Sequence, residues 1–283
     1  MTAIKLEIVC IGSELLSGIT VNSNAHWLAC QIAQAGAELK RITVVRDELG
    51  EISSAIKESL ARKPEIIVTT GGLGATYDDM TLESVASALG RKTVIDQRAV
   101  DMLRRSYARR NLNYEINEVR LKMATIPEGS IPLENMVGSA PGVLVELENT
   151  KIFCLQGVPG EMQAIFMDQI LPEINRRVGR FVSREVNYMV RGVTEAMLAP
   201  ALLKIVNSNP RDAVYLKTHP QGYGENNTPQ IRAQVVSRGS DEAEVVRMLD
   251  SVTKNLQEEI SKLGGRIVTT TTTTPTSSSS SSS

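Results

Sequence analysis

Short apolar runs alternate with helical stretches through roughly the first third of this chain, and glycine or proline closes most of them. Ile4 to Ile11 is apolar and stops at Gly12. Asn22 to Ala35 carries Trp27, Leu28, Ile32 and Ala35 at helical spacing and stops at Gly36. Leu39 to Val45 reads as a strand; Ile52, Ile56 and Leu60 mark a helix that ends before Pro64. Glu65 to Thr69 runs into Gly71-Gly72-Leu73-Gly74, and Thr81 to Leu89 closes at Gly90. A βαβαβα order with short apolar strands and capped helices predicts a parallel sheet covered by helices on both faces.

Beyond this the order changes. Asp96 to Met123 has a helical pattern rich in arginine (Arg98, Arg104, Arg105, Arg109, Arg110, Arg120), which reads first as a solvated face and second as a phosphate-directed one. Pro127 to Gly142 is a Pro/Gly loop, Val143 to Leu147 and Lys151 to Leu155 form a hairpin, and Pro159 opens a further helix. A smaller α+β unit follows: strand Val186 to Val190, helix Glu195 to Val206, strands Ala213 to Lys217 and Gln230 to Val236, and helix Asp241 to Lys262. The expected organisation is a large domain over 1–178, a small α+β domain over 179–268, and a disordered low-complexity Thr/Ser tail over 269–283.

Charge and cysteine content narrow the function classes. Lys plus Arg is 31 against 32 for Asp plus Glu, a net charge of −1, and aromatics are only 4%, so nucleic acid is not expected as a partner. Cys10, Cys30 and Cys154 are too far apart for a disulfide framework and read as packed thiols; His26 and His219 cannot build a His-rich zinc site. The sequence has no apolar run of membrane-spanning length, and its N-terminus reads as a strand, so no membrane partner and a cytoplasmic location are expected.

The informative stretch is Ile66 to Gly90. A buried parallel strand ends at Thr69-Thr70, a glycine loop follows, and a helix begins near Thr81. Ligands of open parallel sheets bind beyond the carboxyl ends of strands. Glycines let backbone amides face an anion, and a helix N-terminus adds partial positive charge. The chain has no Gly-Lys dipeptide, hence no Walker A loop. Gly72 and Gly74 fit a dinucleotide fingerprint, but Tyr77 stands where its third glycine belongs.

Asp78 and Asp79 would repel a phosphate unless a divalent cation lies between, and magnesium is commonly held by one or two carboxylates plus substrate phosphate oxygens. One of the pair is expected to cap the helix or order the loop, and the other, Asp79, to act on ligand or metal. Three more loops should reach the same rim: Gly12 to Gly18 after the first strand, Arg46-Asp47-Glu48 after the second, and Gln156 to Met162, a strand-loop-helix junction with a rigid proline.

Four segments carry a family resemblance: IGSELLSGITVNSNAHWLA (Ile11 to Ala29), TTGGLGATYDDMT (Thr69 to Thr81), NMVGSAPG (Asn135 to Gly142) and LQGVPGEM (Leu155 to Met162). In this order they resemble the molybdopterin-binding-like domain of the competence-damage-inducible protein family, over about residues 1 to 175. The small domain resembles that branch's α+β domain, sometimes described as KH-like. The resemblance implies a three-layer α/β/α fold and a metal-dependent pyrophosphatase that splits ADP-ribose, or FAD and related dinucleotides, with release of AMP. It implies a divalent cofactor (Mg, Mn or Co), potassium as a further cation, and a homo-oligomer, a dimer.

By position, Asp47 and Asp79 match the family's acidic catalytic positions, and Gly71, Gly72 and Gly74 its phosphate loop, with Thr70, Leu73 and Thr76 beside them. Ser13 and Glu14 match the first loop; Gly157, Val158, Pro159, Gly160 and Glu161 match the late one. Asp79, Asp78 and Glu14 are the expected metal ligands. Leu73-Gly74-Ala75 replaces the commoner Thr-Gly-Pro, and the small domain lacks a Gly-x-x-Gly loop between helices. No deamidase domain for nicotinamide mononucleotide is expected, and that activity is not transferred. The rival expectation is a non-catalytic protein that binds molybdopterin in cofactor assembly, with the same glycine loop on the pterin phosphate.

Overall fold

The computed structural model describes residues 4–112, 114–210 and 213–273. The described residues fall into two compact units that divide after Gly179. The first begins β1 (Lys5–Ile11), α1 (Ser13–Leu16), α2 (Ser23–Gln34), β2 (Glu38–Val45), α3 (Leu49–Ala61), β3 (Ile66–Thr70) and α4 (Thr81–Ala88). It continues through β4 (Thr93–Ile95), α5 (Gln97–Arg109), α6 (Glu118–Leu121), β5 (Thr125–Pro127), β6 (Ile131–Leu133), β7 (Gly142–Glu146), β8 (Lys151–Leu155), α7 (Pro159–Ile165) and α8 (Leu171–Val178).

The main sheet has the order β2-β1-β3-β8-β7-β6. β2, β1, β3 and β8 are parallel, and the hairpin partner β7 and the edge strand β6 add antiparallel pairs. The alternation of side chains along a strand feeds two cores. Leu6, Ile8 and Cys10 of β1 pack with Leu28 and Ile32 of α2 and Phe166. Val9 and Ile11 pack on the other face with Ile52 and Ile56 of α3 and Val85 of α4. Each fully buried Leu or Ile there contributes about 2 kcal/mol. These are the three α/β/α layers.

The connection from β1 to β2 runs through α2 on one face, and that from β2 to β3 through α3 on the other. The connections therefore diverge between β1 and β3, the kind of switch point beyond whose carboxyl ends ligands of open parallel sheets bind. Glu7, buried on β1, would be raised by burial alone, but hydrogen bonds from Arg62 (2.7 and 2.8 Å) and Ser59 (2.8 Å) hold its carboxyl below the ordinary value.

The arginine-rich segment presents the solvated face its pattern predicts, with Arg98, Arg104, Arg105, Arg109 and Arg110 exposed, but much of it is also engaged within the protein. α5 stops at Arg109, Asn111 takes φ 54°, and a single turn, α6, leads to β5, which pairs back antiparallel with β4 in a ribbon, flanking the helix, that the sequence pattern does not predict. Arg105 and Arg109 pair with Glu134, and Arg109 and Arg110 donate to the carbonyls of Asn135 and Val137. These arginines staple α5 to the loop before β7. Cys10 and Cys154 are buried, and burial pushes the Cys154 thiol up to about 12; Cys30 is only half-buried.

The second unit is β9 (Val182–Arg191), α9 (Glu195–Asn207), β10 (Val214–Tyr223), β11 (Pro229–Gly239), α10 (Glu242–Lys262) and β12 (Arg266–Thr273). Its antiparallel sheet has the order β10-β11-β9-β12. The strand β12 corrects the expected disordered tail at its start: Thr269 to Thr273 pair with Met189 to Glu185. Threonine is β-branched and suits a pleated edge even where it has nothing apolar to bury. The rest of that tail, 274–283, lies outside the described residues.

Candidate functional site at the carboxyl rim of the main sheet

The loop after β3 is built on glycines at positive φ, where a side chain would be strained. Gly71 takes φ 105°, and a Cβ there would meet the carbonyl oxygen of Ile11. Gly72 takes φ 67°, and a Cβ would meet the hydroxyl of Thr81. Thr81 secures the turn, donating its hydroxyl to Gly71 O (2.8 Å) and its amide to Gly72 O (3.2 Å). The Gly71 amide is itself used, donating to Leu155 O at 3.0 Å. Among the described residues, the amides of Gly72, Leu73 and Gly74 have no partner within the protein, and Leu73 buries its side chain in the core. Three consecutive uncommitted donors at a strand end are an arrangement that can seat an anion.

The two aspartates are drawn into the loop. Asp79 Oδ2 accepts from the Thr76 amide (2.8 Å) and lies 2.5 Å from Thr76 Oγ1, which also lies 2.5 Å from Asp78 Oδ1. A hydroxyl has one proton, so it serves one carboxylate at a time. Thr76 holds the Asp78 carboxyl below its ordinary value. Neither aspartate caps α4, whose N-cap is Met80 without a side-chain bond. Asp79, expected to act on ligand or metal, orders the 76–79 turn. Lys122 brings an ammonium to the same turn, donating to Thr76 O. Gly72, Gly74, Asp79, Glu83 and Lys122 line a cleft of about 80 Å³.

The neighbouring loops converge as the parallel topology requires. Asp47 Oδ2 accepts from the Ser13 amide (2.7 Å), and the Asp47 amide donates to Ser13 Oγ (3.3 Å), so Asp47 locks the loops after β1 and β2 together. Glu14 is exposed and folds its carboxylate back over Gly12. Thr70 Oγ1 donates to Gln156 O (3.0 Å). Asn24, in the first turn of α2, donates to Thr70 Oγ1 (3.1 Å) and to Gly157 O (2.8 Å), tying the ends of β3 and β8 into one rim. The pattern reading of the sequence missed Asn24 and Lys122 as site residues; the only signal for Asn24 was its place inside the VNSNAHW segment.

Gly157, Val158, Pro159 and Gly160 are exposed on the same rim, with Val158 as N-cap and Pro159 at the first position of α7. Glu161 was expected beside a phosphate. Its Oε2 instead accepts from Asn135 Nδ2 (2.7 Å), and Asn135 also donates to Ala140 O, so Glu161 braces the loop that α5 holds from the other side. A carboxylate in that role also avoids repelling an anion.

A family model described as "Probable molybdopterin binding domain" matches residues 7–176. The chain belongs to the molybdopterin-binding domain family. Its competence-damage-inducible branch is shown by the crystal structure of the protein CinA, of unknown function, from Thermoplasma acidophilum. That structure is 35% identical, with a TM-score of 0.55, over 61% of this chain and 98% of its own. A relative from Metallosphaera sedula is 41% identical over 92% of this chain and 96% of its own, and one from Aeropyrum pernix 39% identical over 92% and 95%.

The fit of a divalent metal follows from the donors. Among the described residues no three His, Cys, Asp or Glu side chains gather to hold an ion. Asp78 and Asp79 offer two carboxylates beside the free amides, which matches a magnesium-type ion only when a ligand's phosphate oxygens complete its shell. Glu14 is not gathered with them.

Proposed function

We propose that the carboxyl rim of the first unit binds a phosphorylated nucleotide and hydrolyses a pyrophosphate bond, with ADP-ribose as the substrate class, FAD as a related one, and AMP as a product. The observation that carries this reading is the run of uncommitted amides at Gly72, Leu73 and Gly74 beside Asp78 and Asp79. Those amides would bind one phosphate, and Lys122 would offset the local negative charge. Asp78 and Asp79 would hold a divalent cation together with the ligand's own oxygens. That ion, when bound, neutralises charge developing on the phosphates. The cleft suits a phosphate group rather than a whole nucleotide, so the sugar and base would lie across the open rim towards Gly157 and Val158. Assembly as a homodimer and a cytoplasmic location belong to the same proposal; among the described residues no helix is long and apolar enough to cross a membrane.

A second reading has its own support. Asp79 is engaged in ordering the loop, which suits a rim that seats a pterin phosphate without turnover. The two readings separate in one assay: purified protein with ADP-ribose, with FAD and with molybdopterin, each with and without Mg²⁺, Mn²⁺ or Co²⁺. Metal-dependent release of AMP is the expected result. Tight pterin binding with no AMP from either nucleotide would replace the hydrolase by the binding protein.

A further inference from the structure

The sheet of the second unit has two unlike faces. Val186, Tyr188 and Val190 of β9 and Ile231, Ala233 and Val235 of β11 are buried in one core with residues of α9 and α10. Side chains alternate along a strand, so the intervening residues stand on the opposite face. There the register places His219, Arg232 and Met189 in one row across β10, β11 and β9, with Lys217 in the next row. Arg191 and Arg266 are direct partners on β9 and β12. Arg191, Lys217, Arg232 and Arg266 are all exposed.

Among the described residues, none of these four cations makes a hydrogen bond or ion pair through its side chain. Arg184, on the helix side, is by contrast paired with Glu242 of α10. The carboxylate on the open face, Glu185, already accepts from Asn187 (2.7 Å) and Gln234 (2.8 Å). The unit's acids gather instead on α10, at Glu242, Glu244, Asp250, Glu258 and Glu259. A chain-wide balance of −1 therefore conceals a segregated positive surface.

We propose that this open sheet face binds single-stranded nucleic acid, with Arg191, Lys217, Arg232 and Arg266 on phosphates and Tyr215, 42% exposed, as a stacking ring. The spacing favours a chain of phosphates over one small anion: neighbouring strands lie about 4.8 Å apart and successive rows about 6.8 Å apart. A flat sheet also suits unpaired bases, which can splay across it, whereas a duplex groove calls for a protruding helix or ribbon. This proposal is independent of the phosphate-ligand reading of the first unit.

The test is fluorescence anisotropy of the full chain with a labelled oligouridylate of about twelve nucleotides, over a salt series. The same titration is run on the triple variant R191Q/R232Q/R266Q and with phosphatidylserine vesicles. The unmodified protein is expected to bind the oligonucleotide with a steep salt dependence. The triple variant, folded by circular dichroism, should bind at least about tenfold more weakly, with the salt slope reduced by about 2. Absence of binding at low salt, equal binding by the triple variant, or binding to vesicles without binding to the oligonucleotide would each overturn it.

Discussion

The two edges of the main sheet spend their polar groups differently. At the amino edge most of the charges are matched within the protein, Lys63 and Glu148 excepted among the described residues. Glu173 binds Arg176, Arg177 and Lys151, Lys151 also reaches Glu146, and Glu65 accepts from the Lys5 amide. The larger cleft, about 380 Å³, lies there, between Lys63, Glu65, Glu148, Lys151 and Arg177. At the carboxyl edge, side chains such as Asp47, Asn24 and Asp79 are used to fix loops against one another, and the amides of Gly72 to Gly74 are left over. The proposed phosphate seat rests on these uncommitted donors rather than on cleft size, since a ligand's oxygens would complete them.

The comparison can be broken most sharply at Gly72. A valine there would carry a branched Cβ at φ 67° against Thr81. Affinity for a phosphorylated ligand should fall about a hundredfold, near 2.7 kcal/mol, measured by calorimetry. Unchanged affinity would mean that this loop does not hold the ligand.

The amino edge should respond to acid instead. Burial would raise the Glu173 carboxyl, but Arg176, Arg177 and Lys151 hold it at about 2, against an ordinary 4.5. A depressed carboxyl gives stability that is fully present above pH 4.5 and is lost as pH falls towards 2. Glu173→Gln should flatten that part of a pH–Tm profile and leave ligand affinity at neutral pH unchanged. Identical profiles for the two proteins would remove the structural role assigned to this edge.

The smallest effect is expected at Asn24. Alanine there removes the bonds to Thr70 and Gly157 while leaving the glycine amides in place. Ligand affinity should fall about tenfold, roughly 1.4 kcal/mol. A loss of stability with no change in affinity would make Asn24 a packing residue only.

Much of the architecture was legible because its causes are local. β1 and β3 are largely apolar runs, β2 ends in one, Asn22 and Asp96 cap their helices, and Pro159 opens α7. The convergence of the loops after β1, β2, β3 and β8 was legible for the same reason, since parallel strands bring their carboxyl ends to one rim. What escaped were relations across the chain. Asn24 meets Gly157 over 133 residues, and Arg109 meets Glu134 only once α5 has docked. Asp79 looks free in the sequence, and only the turn at Thr76 gives it a partner. The Thr-rich segment has no apolar content, so nothing in its composition announces that β9 offers it an edge to pair with.

The most direct test of the rim is amide NMR during titration with ADP-ribose in the absence of metal. The account predicts that the Gly72, Leu73 and Gly74 amides shift first and furthest, while those around Lys63, Asn149 and Lys151 stay still. Shifts confined to that opposite edge, with the glycine amides unmoved, would contradict it.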